Sequence, residues 1–533
     1  MPGALSPARL LPLPALLGLF IARPAAALSI SDARCTQQAD NALRFDCVVE
    51  VDEPAAVSLR FCDATAEGTG CLQARNSERA TAVASTTCSG PGACYVADLT
   101  VWNLISGHDY EWSAVAATGP LRVGFTADAP DDVFTAGALP SPDLALMELS
   151  VSAPSPGASR VRYVGFDFGC KSSGGGPGGG EVAYFVVADA DGNIVWYQDP
   201  RQQTGRSSSQ LEGVNISRFD KHILLIDSEE TVLEYDLAGR VYGQIELADG
   251  DFTDVDGLDR YPHHDLQRVG DHTYVLVAGE YNYIDVNDCD ADGRTDDRLT
   301  YVLDGVYDYD ADWVLQGDHQ WSLGDIYSPD DCIGPQPPDC RGTIGGSSTA
   351  CDWFHGNSLE IGRSGDWLLS SRVQDRVIQV DGTTGDLLWE LVGDNDSTGE
   401  GDWSIDIAGS VGSTHFDKQH HVRSAGRNRL RMFDNHDDDA TPVPRGVEVQ
   451  LDPFSRSFAI VDEWPVAGDL ACETTGSLYD LPLSDHVLLT CGPGESIQEF
   501  DGDGAVVWQL DLSCPTGTPA AVTYRGVPMD LDP

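Results

Sequence analysis

The chain has 533 residues, with 32 basic against 85 acidic side chains and a formal net charge of −53. Such a surface repels a polyanion and excludes nucleic acid as a partner. Roughly 500 residues beyond the N-terminal leader allow one large domain and a smaller one.

Residues 1–27, ending in Ala25-Ala26-Ala27, read as a secretion signal with Arg9 in its n-region and an apolar run from Leu10 to Ala22. Pro14 interrupts that run, which is short for a bilayer span, and no later stretch is long and apolar enough to cross a membrane. The mature protein is therefore expected in the periplasm or the medium, without a membrane span. All fourteen cysteines follow the leader, and an even number in an exported chain favours disulfides. Close neighbours include Cys62 with Cys71, Cys88 with Cys94 and Cys332 with Cys340, although spacing leaves the connectivity open. The absence of CxxC argues against a zinc ribbon.

From Leu28 to about Pro140 short alternating runs predict strands, among them LRFDCVVEV, AVSLRFC, CYVADLTVW and YEWSAVAAT. The placement of Leu99, Leu104 and Tyr110 suits a fibronectin type III or immunoglobulin-like β-sandwich over residues 28–140. The segment ALPSPDL then reads as a linker.

Residues 141–533 repeat one theme loosely. In YFVVADADGNIVWYQD, VLEYDLAGRVYGQIE, VIQVDGTTGDLLWELVG and IQEFDGDGAVVWQLD a strand, an Asp/Gly turn and a second strand follow one another. Runs such as KHILLID, HTYVLVAGE, DWLLSSR and HVLLTCG lie between them. Irregular spacing with long insertions predicts a β-propeller of six unequal blades, making the whole chain all-β. KSSGGGPGGGEVAYF lacks the GK[ST] ending and following helix of a phosphate loop and reads as an insertion. DADG at 189–192 and DGDG at 501–504 read as hairpin turns. In DCDADGRTD, Asp288, Asp290, Asp292 and Asp296 occupy calcium-loop positions one, three, five and nine around Gly293, with Leu299 in place of the closing Glu. This loop is a candidate structural calcium site, set against an acidic surface loop pinned by Cys289.

Three segments place a histidine just ahead of a predicted strand: YPHHDLQRVGDHTYVLV, DWFHGNSLEIGRSGDWLLSSR and FDKQHHVRSAGRNRLRMFDN. In a propeller, equivalent strand starts from successive blades converge on one mouth of the central channel, so His264, His355 and His420 are expected to meet. The combination HHD, HGNSLE, LLSSR followed by VIQVDGTTGDLLWELVG, QH and FDN, in that order, resembles the bacterial arylsulfotransferases. That resemblance implies an exported six-bladed propeller that moves a sulfuryl group from a phenolic sulfate to a phenolic acceptor without a nucleotide sulfate donor and with no cofactor needed for catalysis. It places the transiently sulfated histidine on His420, its catalytic partners on His264, His355 and Arg372, and a substrate-binding role on Asn357. His263 and His421 have no assured counterpart, so a slip within either pair stays open. Members of the family place a lysine late in the chain, whereas this sequence has none after Lys418 and carries Glu473 in that neighbourhood.

The residue types suit this chemistry. A transferring sulfuryl group spreads negative charge over three oxygens and calls for fixed cationic donors. Arg372 offers a planar fork. A neutral imidazole at His420 is a competent nucleophile, and His264 or His355 can protonate the departing phenolate. Two other readings compete: a non-catalytic exported propeller that binds a ligand or surface partner, and a zinc hydrolase with His264, His355 and His420 as ligands. No HExxH helix supports the zinc reading, and Arg372 would repel the metal. His272, His415 and His436 read as ordinary polar residues.

Overall fold

The computed structural model describes residues 28–531 except 66–74, 90–93, 118–131, 141–143, 156, 171–182, 218–219, 229, 247–259, 285–297, 328–349, 394–402, 406–408, 412–414, 437–442, 469, 471, 473, 493–494 and 515–520. The leader, the glycine-rich insertion, Asp288, Asp290, Asp292 and Asp296 of the calcium candidate, Cys71, Cys332, Cys340 and Glu473 therefore lie outside the described residues. Among the described residues the chain is all-β, with helix confined to Arg201–Thr204 and two short 3-10 turns.

The N-terminal strands, Ile30–Gln37 through Asp132–Thr135, form two antiparallel groups joined through the single pair Ser77 and Val101. Asp109–Ala117 alternates buried and outward residues along its length, as a strand with one face on a core requires. Both groups contribute to one buried cluster that includes Phe45, Leu59, Phe61, Leu99 and Tyr110. The Tyr110 hydroxyl accepts a bond from the Ile105 amide at 2.8 Å, fixing the corner between two strands. This unit docks on the rest of the chain through Arg44, which donates to Tyr197 O at 2.8 Å and Gln198 Oε1 at 2.6 Å and lies over the Trp196 ring.

Beyond it stand six sheets of four or five strands. Their outer hairpins are the repeated theme of the sequence. Asp189 Oδ1 accepts from the amides of Asp191 and Asn193, Asp501 Oδ1 from those of Asp503 and Ala505, and Gly192 and Gly504 sit at φ 86° and 78°. Glycine is required there because a Cβ disfavours that left-handed backbone. Each sheet starts on an innermost strand. In chain order these are β1 (Leu211–Ile216), β2 (Tyr261–Val269), β3 (Gly356–Ile361), β4 (His420–Ser424), β5 (Ser477–Asp480) and β6 (Gly526–Pro528).

These six strands touch in sequence, and β6 returns to β1, so the sheets form a closed ring. Closure is double. Strand Glu148–Ser152 pairs with Val506–Ser513 of the last sheet, while β6 from the chain's end pairs with Tyr163–Cys170 of the first. Each terminal segment thus completes a sheet made by the other, which removes exposed edges. Side chains tie neighbouring inner strands together. Asn215 Nδ2 donates to Leu266 O at 2.7 Å, Asp265 Oδ2 accepts from Leu359 N at 2.9 Å, and Ser358 Oγ accepts from Val422 N at 3.0 Å.

Disulfides join Cys35 to Cys47, Cys88 to Cys94 and Cys472 to Cys491, so one of the closely spaced neighbours, Cys88 with Cys94, is a bonded pair, and no cysteine is free among the described residues. No helix among them is long and apolar enough to cross a membrane.

Candidate active site

The inner strands bring His264, His355 and His420 together at the mouth where β2, β3 and β4 begin. Each strand is irregular at its histidine: the register breaks between Pro262 and Leu266, between Gly356 and Ser358, and between His420 and Arg423. His264, His355 and His421 have φ of 60°, 52° and 53°, a left-handed conformation that costs a non-glycine residue about 1–3 kcal/mol. A bulge re-aims a side chain that regular pleating would turn elsewhere. The sequence expectation of histidines just ahead of strands thus holds for His355, while His420 opens β4 and His264 lies inside β2. Gly356 permits the close approach of Asp304 beside His355, because a Cβ there would meet Asp304 Oδ1 at 2.9 Å, the same atom that accepts its amide.

His264 Nε2 lies 3.0 Å from His355 Nε2. The remaining nitrogens are each engaged. His355 Nδ1 is 2.6 Å from Asp352 Oδ2, and His264 Nδ1 is 2.8 Å from the Tyr524 hydroxyl, whose ring stacks on it at 5.5 Å. A carboxylate accepts only, so His355 carries its proton on Nδ1. Burial pushes His355 down, but Asp352 outweighs it and holds its pKa above the ordinary histidine value. Burial, with His355, His263 and His420 adding, pushes His264 far below that value. Two histidines in contact are thereby assigned opposite tendencies, His355 to carry a proton and His264 to stay neutral.

His420 is buried, and its Nδ1 faces Lys418 O at 2.9 Å and Asn435 Oδ1 at 2.6 Å. Asn435 is fixed in that orientation because its Nδ2 donates to Cys472 O and Thr475 O. Two acceptors at Nδ1 hold the proton there and leave the lone pair on Nε2. Burial first, then the Arg372 guanidinium, pushes His420 down to about 3, so the ring is neutral at ordinary pH. Arg372 acts electrostatically on both His355 and His420, and its amide donates to His355 O at 3.0 Å. Asn357 is buried, with Nδ2 committed to Gln419 O at 2.7 Å, which leaves Oδ1 as its remaining polar atom.

The second members of the histidine pairs point elsewhere. His263 Nε2 lies 2.8 Å from Asp304 Oδ1, and His421 Nδ1 meets the Leu478 backbone while its ring packs on Tyr479 at 4.1 Å. Both are fully buried, in keeping with a supporting place. Beneath the histidines Asp265 accepts from Arg525 at 2.8 Å and Arg423 at 2.6 Å. Burial would raise its pKa, but the two guanidiniums hold it below the usual carboxylate range. Asp167 pins the Tyr524 and Arg525 amides at 2.7 and 3.0 Å, which aims Tyr524 at His264. Where the inner strands end, a cavity of about 760 Å³ opens, lined by Gln267, Glu360, Arg423 and Tyr479 among others.

The sequence reading missed three of these contacts. Asn435 lay inside the quoted FDN, and Asp352 opens the DWFHGN segment. Tyr524 left no local signal, since it reaches His264 from the bend just ahead of the last strand of the chain.

The sequence profile of the arylsulfotransferase (ASST) family matches residues 179–458, a stretch that contains His264, His355, Asn357, Arg372 and His420. The chain belongs to the arylsulfotransferase family. Tyr524, and the closing strand that follows it, lie outside the stretch matched to that family. No curated protein matches the chain.

Among solved structures, it is similar to a protein of unknown function from Bacteroides caccae, at 11% identity over 68% of this chain and 98% of that one, with a TM-score of 0.38. It is also similar to the β-propeller domain of Myceliophteria thermophila Cps50 (Swd1), at 10% identity over 61% and 81%, with a TM-score of 0.33. An inactive virginiamycin B lyase from Staphylococcus aureus with quinupristin matches at 10% identity over 56% and 69%, with a TM-score of 0.29.

Proposed function

We propose that this chain is an exported aryl-sulfate sulfotransferase that works through a sulfohistidine at His420. In this reading residues 28–140 form an immunoglobulin-like sandwich and residues 141–533 a six-bladed β-propeller, which the closed ring of six sheets supports. The disulfides support export, since such bonds persist in oxidising compartments. The observation that carries the chemistry is the double acceptor at His420 Nδ1, which leaves a neutral ring with its lone pair on Nε2.

In the first step His420 Nε2 attacks sulfur. The N–S bond forms, the S–O bond to the aryl group breaks, and the electron pair leaves on the phenolate oxygen. A phenol's ordinary pKa near 10 makes that oxygen basic, and the His355 imidazolium supplies its proton from Nε2, the phenolate oxygen taking the place of His264 on that N–H. His264 stays neutral and orients His355. Arg372 faces the sulfuryl oxygens, where charge-assisted bonds are strongest when the group is in flight. In the second step His355 takes the acceptor phenol's proton as its oxygen attacks sulfur. The N–S bond breaks and its electron pair returns to Nε2. Throughout, His420 keeps its Nδ1 proton on Asn435 and Lys418.

The test is transfer from 4-nitrophenyl sulfate to a phenol with no added cofactor, followed by an alkaline quench and mass-spectrometric mapping of the adduct. A sulfuryl group on His420, and loss of transfer in His420→Ala, is the expected result. Retained transfer by a folded His420→Ala protein would move the nucleophile to His421 or end the reading.

A further inference from the structure

We propose that His415, Asp417 and His436 form a binding site for a divalent transition-metal ion of the zinc type, directly behind the nucleophile. One ligand atom from each residue falls within a set whose members all lie within 4.8 Å of one another. The two imidazole rings face each other at 4.8 Å with a 32° tilt. Asp417 and His436 are buried and His415 is half-buried. Zinc holds nitrogen and oxygen ligands at about 2.0–2.2 Å in a tetrahedron, which places the ligands roughly 3.3 Å apart, so modest side-chain rotation closes this set. Two imidazole nitrogens with one carboxylate suit zinc and its neighbours, not calcium or magnesium, which take oxygen.

The charge around the cluster points the same way. Arg445 donates to Asp434 Oδ2 at 3.0 Å and to Glu463 Oε2 at 2.9 Å, and its Nη2 is taken up by His415 O at 2.8 Å. Three carboxylates, Asp417, Asp434 and Glu463, thus lie around one guanidinium, and Asp417 Oδ2 stands 3.4 Å from His436 Nδ1, the atoms a divalent ion would bridge. A second group, Asp220, His222 and Glu234, meets the same distance condition. There Arg268 bonds Glu234 and approaches Asp220 at 3.9 Å, so a guanidinium already fills the cation's place.

The position gives the ion a purpose. Asp417 precedes Lys418, and His436 follows Asn435, and these two neighbours supply both acceptors at His420 Nδ1. Lys418 and His436 hold φ of 51° and 50°, a strained backbone that must be fixed by its surroundings. An ion bridging Asp417 and His436 ties the two acceptor segments to each other, and so positions the nucleophile without touching substrate.

The test uses the full chain, stripped with EDTA and titrated with zinc chloride, with bound metal counted after gel filtration and the thermal midpoint followed. Cobalt chloride supplies a visible spectrum for coordination number. The expected result is one equivalent of zinc, a higher midpoint and a tetrahedral cobalt band. All three should be lost in His436→Ala and in Asp417→Asn and kept in His222→Ala. Asp417→Asn carries the test if His436→Ala does not fold. Zinc content in the unaltered chain no greater than in these variants would overturn the proposal, as would loss in His222→Ala alone. These readouts need no substrate, so their failure leaves the sulfotransferase reading standing.

Discussion

His264 and His355 share one hydrogen bond between their Nε2 atoms, 3.0 Å apart, and only one proton fits between them. With His355 neutral, Tyr524 donates to His264 Nδ1 and His264 donates to His355. With His355 protonated the direction reverses, and His264 must donate from Nδ1 to the Tyr524 oxygen. The Tyr524 hydroxyl, able to do either, therefore permits His355 to carry a proton.

Tyr524→Phe removes that acceptor and destabilises the protonated His355. Turnover of 4-nitrophenyl sulfate should lose its alkaline half at lower pH than in the unaltered protein, with the fold intact. A pH profile that superimposes on the original would remove Tyr524 from this role.

Asn435→Ala deletes one of two acceptors at His420 Nδ1. Lys418 O remains, so the loss is partial, about 10- to 100-fold in turnover for one buried hydrogen bond. Nitrogen NMR of His420 should show a mixture of tautomers. A single Nδ1–H tautomer with unchanged turnover would show that Lys418 suffices.

Arg372→Lys keeps the charge and loses the fork. By analogy with removal of an oxyanion donor, turnover should fall roughly 100- to 1,000-fold with stability preserved. Near-normal transfer by the folded variant would take Arg372 out of the site.

Acid should destabilise the protein through its buried neutral histidines. His421 is held well below the ordinary value by burial, with Arg423 and Arg525 adding, and His420 is held at about 3. Both titrate near 6.5 when unfolded, so below that pH the unfolded chain binds protons that the folded chain does not, and stability declines. His355 has the opposite sign. Its contact with Asp352 contributes fully at low pH and is lost as pH rises through the raised folded value. Unfolding midpoints should therefore fall from about pH 7 to about pH 4 less steeply in His421→Gln than in the unaltered protein. Equal slopes would show that His421 contributes nothing to this dependence.

Asp265→Asn leaves Arg525 and Arg423 without their shared carboxylate. Arg525 is buried at 1% exposure, and breaking such a pair costs about 3–5 kcal/mol. Urea unfolding should show a loss of that size. A loss below about 1 kcal/mol would mean the guanidinium finds water or another partner.

Much of the architecture was legible because its determinants are local. The Asp/Gly turns at 189–192 and 501–504 fix hairpins through contacts within four residues of each other. The alternation in Asp109–Ala117 needs only its own burial face. The family pattern likewise singled out His264, His355, Arg372 and His420 by order along the chain, and the ring of inner strands brings them to one mouth.

What the sequence alone determined, then, was which residues the inner strands gather at one mouth. Which partner each ring nitrogen meets was decided largely by tertiary structure. Tyr524 reaches His264 across 260 positions, and Asn435 is turned toward His420 by carbonyls at 472 and 475. Imidazole tautomers and pKa values follow from the acceptors, charges and burial around each ring; Asp352 and Lys418 supply theirs locally, whereas the Tyr524 contact to His264 exists only when the last strand closes on the first sheet.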